Sequence, residues 1–317
     1  MSPNSWTCLH PSNATEAKLS LDNRGLAYGD GFFTTMGVID GQILWLDYHQ
    51  QRLVSHAAAL QLQLDSQSLL AMLKTHAKQL QQGMLKLIIT RAEQEVRGYG
   101  YTPNTGGGSA CEIWLKSSPM AITTARSLPL ADGQFIPLQP AASAICLSSQ
   151  IACLPPTLAG LKSLNRLDNV LASGELQAIK AKTLAGTIKP SIAEGLLRDM
   201  SGQWVEGTMS NVFYQLVEAP VAKSSNRPHS QNNSSSNYLS TGQWYTPSMA
   251  KSGVVGVMRQ VIIDTLSTSN NPVIIRSLQD EDLLHLSQLF FCNALRGIMP
   301  MSSLRLLSGE VVSFEAI

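Results

Sequence analysis

The chain has 317 residues, 44% of them apolar and 14% charged, which is enough for one large domain or two smaller ones. Its 23 Lys and Arg against 22 Asp and Glu leave a formal net charge of +1, too little basic excess to favour nucleic acid or an anionic membrane as partner. Glycine and proline number 23 and 15, an ordinary share that excludes a collagen-like or wholly disordered chain.

In chain order, residues 32–39 are β-rich and break at Asp40-Gly41, a type I′ turn signal; with 43–46 they predict a β-hairpin. Asp47 precedes a helix predicted over 48–64, with Leu53, Ala57, Leu60 and Leu64 on one face. A second helix is predicted over 67–82, capped by Asp65 or Ser66 and stopped at Gly83. Strands at 85–90 and 111–115 flank a Gly-rich loop at 98–108. Residues 1–118 thus make a small α+β domain. The small and polar residues of 117–128, with Pro119, mark a linker set at 119–127, and 128–317 form a larger domain. There the pattern predicts a strand at 144–148, a helix at 165–182, two strands around Ser201-Gly202 and a third at 211–216. A helix at 256–266 and strands near 273–275 and 289–292 complete it. Short strands with interspersed helices favour a mixed, barrel-like sheet over a doubly wound one. Residues 223–237 hold six Ser and four Asn; they can bury little to offset ordering entropy and read as a mobile surface insertion.

The five cysteines are widely spaced with no CxxC pair, so no zinc or redox motif is expected. The N-terminus lacks a secretory pattern, and no apolar run is long enough to span a bilayer. The expectation is a cytoplasmic protein, and the low charged fraction suggests apolar surface for a subunit interface as well as a core.

Four stretches could carry chemistry. In RGLAYGDGFFTT (24–35), Gly29, Asp30 and Gly31 force a bend before a strand, in spacing that is not that of a phosphate loop. In LAGLKSLNRLDNVLA (158–172), Lys162 lies in an apolar context before a helix with Leu167, Val170 and Leu171 on its apolar face. It either snorkels to solvent or has a depressed pKa and a covalent use, such as a Schiff base with an aldehyde. Glu206, in WVEGTMSNVF, is either held by structural hydrogen bonds or paired with a buried cation such as a protonated pyridine nitrogen. In GVVGVMRQVIIDTL (253–266), small residues lead into a helix whose N-terminal N–H groups suit a phosphate.

Together with HQQRL (49–53), TRAEQEVRGYGY (90–101), TPSMAKSGVVGVMRQ (246–260) and FFCNALRGIMP (290–300), these motifs resemble the fold-type IV pyridoxal-phosphate enzymes, which include branched-chain and D-amino-acid aminotransferases. The resemblance runs from about Arg24 to Ser302. It implies a two-domain α+β enzyme with pyridoxal 5′-phosphate as cofactor, its site between the domains and across a homodimer interface. The family's Schiff-base lysine falls on Lys162 and its pyridine-nitrogen carboxylate on Glu206. The phosphate arginine falls on Arg52, with further phosphate contacts from the backbone of Val257 and Met258 and from Asn293.

Among these enzymes the chain is most similar to the 4-amino-4-deoxychorismate lyases, which release pyruvate and the folate precursor 4-aminobenzoate. Aminotransferases usually follow the Gly-Asp-Gly turn with an aromatic, a Glu and a small residue. Here Phe33, Thr34 and Thr35 stand there, and paired threonines are lyase-like, as is the RGY of 97–99. The resemblance therefore implies Thr35 as a catalytic or substrate hydroxyl, and Arg97 and Tyr99 as substrate contacts, Arg97 clamping a carboxylate. The alternative is a D-amino-acid or branched-chain aminotransferase. Two departures stand out: Asn23 lies between Asp22 and Arg24, where relatives often have Asp directly before Arg, and the polar insertion replaces a tight hairpin.

Overall fold

The computed structural model describes residues 6–10, 18–103, 108, 110–122, 126–130, 134–184, 192–217, 239 and 242–314; the insertion at 223–237 lies outside them. Strands β1 (Trp6–His10), β2 (Gly31–Ile39), β3 (Gln42–Ile43), β4 (Gly83–Arg91) and β5 (Cys111–Pro119) form an antiparallel sheet ordered β1-β5-β4-β2-β3. Helix α1 (Arg24–Tyr28) leads into β2, and helices α2 (Leu46–Ala59) and α3 (Ser66–Leu80) cover one face. Because side chains alternate along a strand, Phe32, Met36 and Val38 of β2 enter the core with Leu53, Leu69 and Leu73. Phe33 and Thr35 consequently occupy the other face.

The second sheet lies wholly within residues 126–313: β6 (Arg126–Pro129), β7 (Phe135–Leu138), β8 (Ala142–Ile151), β9 (Ile192–Asp199), β10 (Trp204–Gly207), β11 (Asn211–Leu216), β12 (Tyr245–Thr246), β13 (Ile274–Ile275), β14 (Leu286–Asn293), β15 (Gly297–Arg305) and β16 (Val311–Ser313). Pairings β8-β9-β10-β11-β14-β15 return to β8, closing a six-stranded barrel of mixed direction. One apolar cluster draws on all six strands, from Ala144 and Cys146 through Leu196, Trp204, Val212 and Phe291 to Met299, so the barrel is filled. Helix α4 (Leu167–Leu184) packs Ala172 and Leu176 against β8 and β9, and α5 (Val257–Leu266) packs Val261 and Ile262 against Phe213 and Phe290.

The α+β class and the barrel-like second sheet agree with the sequence reading, and several boundaries differ. The strand expected at 43–46 stops at Ile43, because Trp45 takes a left-handed φ of 59° and is buried in the cluster around α5. Tertiary packing captures that indole, and the helix starts at Leu46 instead of Tyr48. It also ends at Ala59, where Gln61 turns the chain with φ 54°; Leu60 and Leu64 reach the same core from beyond the helix. The linker is shorter than the composition of 117–128 suggests, since Ser117 and Ser118 pair with β4 and Arg126–Pro129 with β7. The apolar face of Leu167, Val170 and Leu171 is not core: these residues are 79%, 60% and 70% exposed.

Candidate active site

Lys162 sits on the segment between β8 and α4, clamped by the first sheet unit on both of its peptide groups. Its N–H donates to His56 Nε2 at 2.9 Å, and its carbonyl accepts the Phe33 N–H at 3.0 Å. Two residues on, the Leu164 N–H donates to the Gly31 carbonyl at 3.0 Å. The GDGFF bend therefore serves as a backbone dock for the lysine segment. The Lys162 amine lies 4.6 Å from the centroid of the Phe33 ring. Burial first, then the positive charges of Arg52 and Arg166, bring its pKa down to about 7 against the pull of Glu206. Of the two sequence alternatives, the depressed amine is the one the structure holds.

Arg52 is 7% exposed on the face of α2 shared with His49 and His56. It donates to the Val255 carbonyl at 2.6 Å and to Thr34 Oγ1 at 3.3 Å. Burial and the neighbouring Arg166 bring its pKa down to about 10. Val255 leads into α5, whose N-cap Gly256 gives no side-chain cap, so the Val257 and Met258 N–H groups are the first of an uncapped helix. A Cβ at Gly256 would meet Asn211 Oδ1 at 1.9 Å, which forces glycine at this approach. Asn293, at the end of β14, uses its side-chain oxygen on the Leu295 and Arg296 N–H groups, at 3.1 and 2.8 Å. Its amide donates one N–H to the Met209 carbonyl at 3.5 Å and has a second N–H able to reach an anion.

Glu206 is buried at the end of β10 and accepts the Val254 N–H at 2.8 Å and Asn169 Nδ2 at 3.4 Å. Burial raises its pKa, opposed by the Val254 N–H and by Arg166 and Lys162. Gly253, with φ +76°, brings the 253–254 backbone to this carboxylate; a Cβ there would lie 3.0 Å from Glu206 Oε2.

Thr35 lies two residues from Phe33 on the same face and pairs across the strands with Lys86, whose amine is 5.4 Å from the Phe33 centroid. Arg97 and Tyr99 are placed elsewhere. Arg97 is exposed, and Tyr99, 85% exposed, stacks edge-on with Tyr28. Their loop is held by Arg24, which donates to the Gly98 and Tyr99 carbonyls and pairs with Asp30 at 2.9 Å. Asp30 also pairs with buried Arg91 at 2.9 Å, so the acid of the GDG motif is an organiser of arginines. A surface cavity of about 510 Å³ lies beside this loop, lined by Leu26, Tyr28, Tyr99, Leu164, Asn165 and Leu167.

Sequence reasoning passed over His56, Lys86, Arg166 and Asn169. Arg166 wraps the lysine segment, donating to the Leu161 and Ser163 carbonyls and to Asn169 Oδ1. A signal existed for His56: residues 49, 52 and 56 have the i, i+3, i+7 spacing of one helix face. No sequence pattern announced Lys86.

Lys162, Arg52 and Arg166 face Glu206 as the buried carboxylate among them. The surplus of positive charge beside an uncapped helix N-terminus fits a phosphate monoester, and the depressed amine fits an aldehyde. These residues therefore fit pyridoxal phosphate.

Comparisons with known proteins agree. A family model, Amino-transferase class IV, matches residues 31–304. The aminodeoxychorismate lyase of Vibrio harveyi is 23% identical over 290 residues, covering 91% of this chain and 88% of that protein. The crystal structure of 4-amino-4-deoxychorismate lyase from Pseudomonas aeruginosa superposes with a TM-score of 0.70 at 28% identity, covering 95% of this chain and 92% of that one. The pyridoxal-phosphate-bound form of a hypothetical aminotransferase from Mycobacterium tuberculosis shares the fold, with a TM-score of 0.64 at 18% identity over 94% and 90% of the two chains.

Proposed function

The chain belongs to the class IV aminotransferase family, pyridoxal-phosphate-dependent enzymes, and from that premise we propose that it is a 4-amino-4-deoxychorismate lyase, forming 4-aminobenzoate and pyruvate. The observation that carries the reading is Lys162, an amine with a pKa of about 7 beside Arg52 and Arg166, in a chain similar to lyases of that name over nearly its whole length.

In this reading Arg52 and the N–H groups of Val257 and Met258 hold the cofactor phosphate, with Asn293 beside them, and Glu206 faces the pyridine nitrogen. Bound pyridoxal phosphate supplies an electron sink for charge developing at the carbon that bears the substrate amine. Lys162, close to half neutral at pH 7, takes the C4 proton once its amine is free. The C–O bond at the neighbouring carbon breaks, enolpyruvate leaves and takes up a proton, and the ring becomes aromatic. Aromatisation makes the elimination downhill, so the protein's work is positioning and proton transfer. Thr35 and Lys86 line the face of β2 and β4 beside the Lys162 amine, Thr35 offering a hydroxyl to substrate or proton and Lys86 a positive charge.

Arg97 and Tyr99 are assigned to the substrate through a homodimer, since within one chain they lie on an exposed loop. The exposed apolar residues Leu26, Leu167, Val170 and Leu171 support a second copy covering this region. A cytoplasmic location completes this reading, supported by five widely spaced cysteines with no CxxC pair. The rival, a branched-chain or D-amino-acid aminotransferase, is supported by 26% identity over 306 residues to the putative branched-chain-amino-acid aminotransferase of Methanocaldococcus jannaschii, covering 95% of this chain and 87% of that protein.

Purified protein incubated with 4-amino-4-deoxychorismate, with pyruvate coupled to NADH oxidation, tests the proposal. Pyruvate and 4-aminobenzoate are expected in equal amounts without added keto acid. Absence of pyruvate alongside fast transamination of a D- or branched-chain amino acid would overturn it.

A further inference from the structure

We infer that His56 is a positioning residue for Lys162: its Nε2 accepts the Lys162 backbone N–H at 2.9 Å and fixes the peptide from which the amine extends. This rests on the reading that Lys162 carries the cofactor. His56 is 4% exposed and meets Phe32 edge-on at 5.3 Å, so its ring plane is set by the core of the first sheet unit.

The tautomer follows from the hydrogen bonds. An Nε2 that accepts an N–H carries no proton, so the proton is on Nδ1, 3.2 Å from Ser55 Oγ. The Ser55 hydroxyl in turn donates to the Arg52 carbonyl at 3.2 Å. A chain of hydrogen bonds thus joins the backbone of Arg52, through Ser55 and His56, to the backbone of Lys162. Burial and the charges of Arg52, Arg166 and Lys162 bring the His56 pKa down to about 3, so the ring stays an acceptor at neutral pH. The opposite side of the same peptide segment is held by the Phe33 N–H on the Lys162 carbonyl. With both contacts in place the amine has one approach; with Nε2 gone, one side of the segment is released and a buried N–H loses its acceptor.

The test uses full-length wild type, His56→Gln and His56→Leu, each stripped of cofactor. Mixing with pyridoxal phosphate forms the covalent link to Lys162 with loss of water, read by visible absorption in a stopped-flow instrument. Pyridoxamine phosphate has no aldehyde and reports binding without the link. His56→Leu is expected to link about tenfold or more slowly while binding pyridoxamine phosphate within about threefold of wild type. His56→Gln, whose Oε1 reaches the place of Nε2, recovers most of the rate. Wild-type linking in His56→Leu overturns the inference, and so does an equal fall in pyridoxamine phosphate affinity, which marks a general loosening of the site. A wild type that develops no absorption, or a Lys162→Ala protein that develops it equally, removes the cofactor lysine itself and His56 with it.

Discussion

The Arg52 guanidinium donates to the Val255 carbonyl at 2.6 Å, tying a helix of the first sheet unit to the turn that opens α5 of the second. The contact joins two residues 203 positions apart and aims a buried cation at an uncapped helix N-terminus. Arg52→Leu is therefore expected to lose about 1.5–3 kcal/mol of cofactor affinity, roughly 10- to 150-fold in Kd. Arg52→Lys should recover only part, because an ammonium cannot reproduce the fork. Fluorescence titration with pyridoxal phosphate measures both; unchanged affinity in Arg52→Leu would place the phosphate elsewhere.

Glu206→Gln should bind cofactor almost as tightly as wild type and turn over about 100-fold or more slowly. The amide retains an acceptor for the Val254 N–H but cannot keep a pyridine nitrogen protonated. Comparing Kd with kcat separates the two effects, and a near wild-type kcat would remove the role assigned to Glu206.

The Lys162 amine, at about 7 against an ordinary 10.5, has a calculable effect on stability. Between those values the unfolded chain binds more protons than the cofactor-free folded chain, so folding gains stability as pH rises from 7 towards 10. Well below pH 7 the charged amine is buried at full cost. Cofactor-free Lys162→Met should therefore melt several degrees above wild type at pH 6, and the gap should narrow steadily above pH 7 and close only above about 10.5. A gap independent of pH, measured by scanning calorimetry, would show that the amine is not depressed.

Much of this site is legible as sequence because its parts are local. Gly-Asp-Gly announces a bend, Lys162 precedes a helix, and small residues precede α5, each within a dozen residues. The less legible parts are contacts across the fold. The strand at 43–46 fails because Trp45 is captured by a core some two hundred residues away. The face of Leu167, Val170 and Leu171 has the helical period of a core face, yet Ala172 and Leu176 make the packing contact. Periodicity identifies an apolar face without saying what covers it. His56 and Lys86 gain meaning only from Lys162 and Phe33, distant in sequence and adjacent in space.

Lys86 and Thr35 provide the test that separates lyase from transferase. They sit opposite each other on β4 and β2, with the Lys86 amine 5.4 Å from the ring that also meets Lys162. In the proposed reading a substrate held over that face would present its carboxylate to Lys86 and its reacting carbons to Thr35. Lys86→Met removes a charge-assisted contact and should raise KM for 4-amino-4-deoxychorismate about 10-fold or more, with cofactor affinity unchanged. Thr35→Ala should lower kcat more than it raises KM if its hydroxyl assists proton movement or holds the reacting carbons. Arg97→Lys, on the loop assigned to a partner subunit, should raise KM because the bidentate fork is lost. An aminotransferase would behave differently: its half-reaction leaves the cofactor aminated, so an ordinary amino acid would bleach it stoichiometrically and activity would need a keto acid. The lyase releases the amine with its aromatic product and returns the cofactor unaminated each cycle. Sustained pyruvate release with no keto acid, lost selectively in Lys86→Met and Thr35→Ala, is the expected outcome. Wild-type elimination in both variants would move the substrate off this face of the sheet.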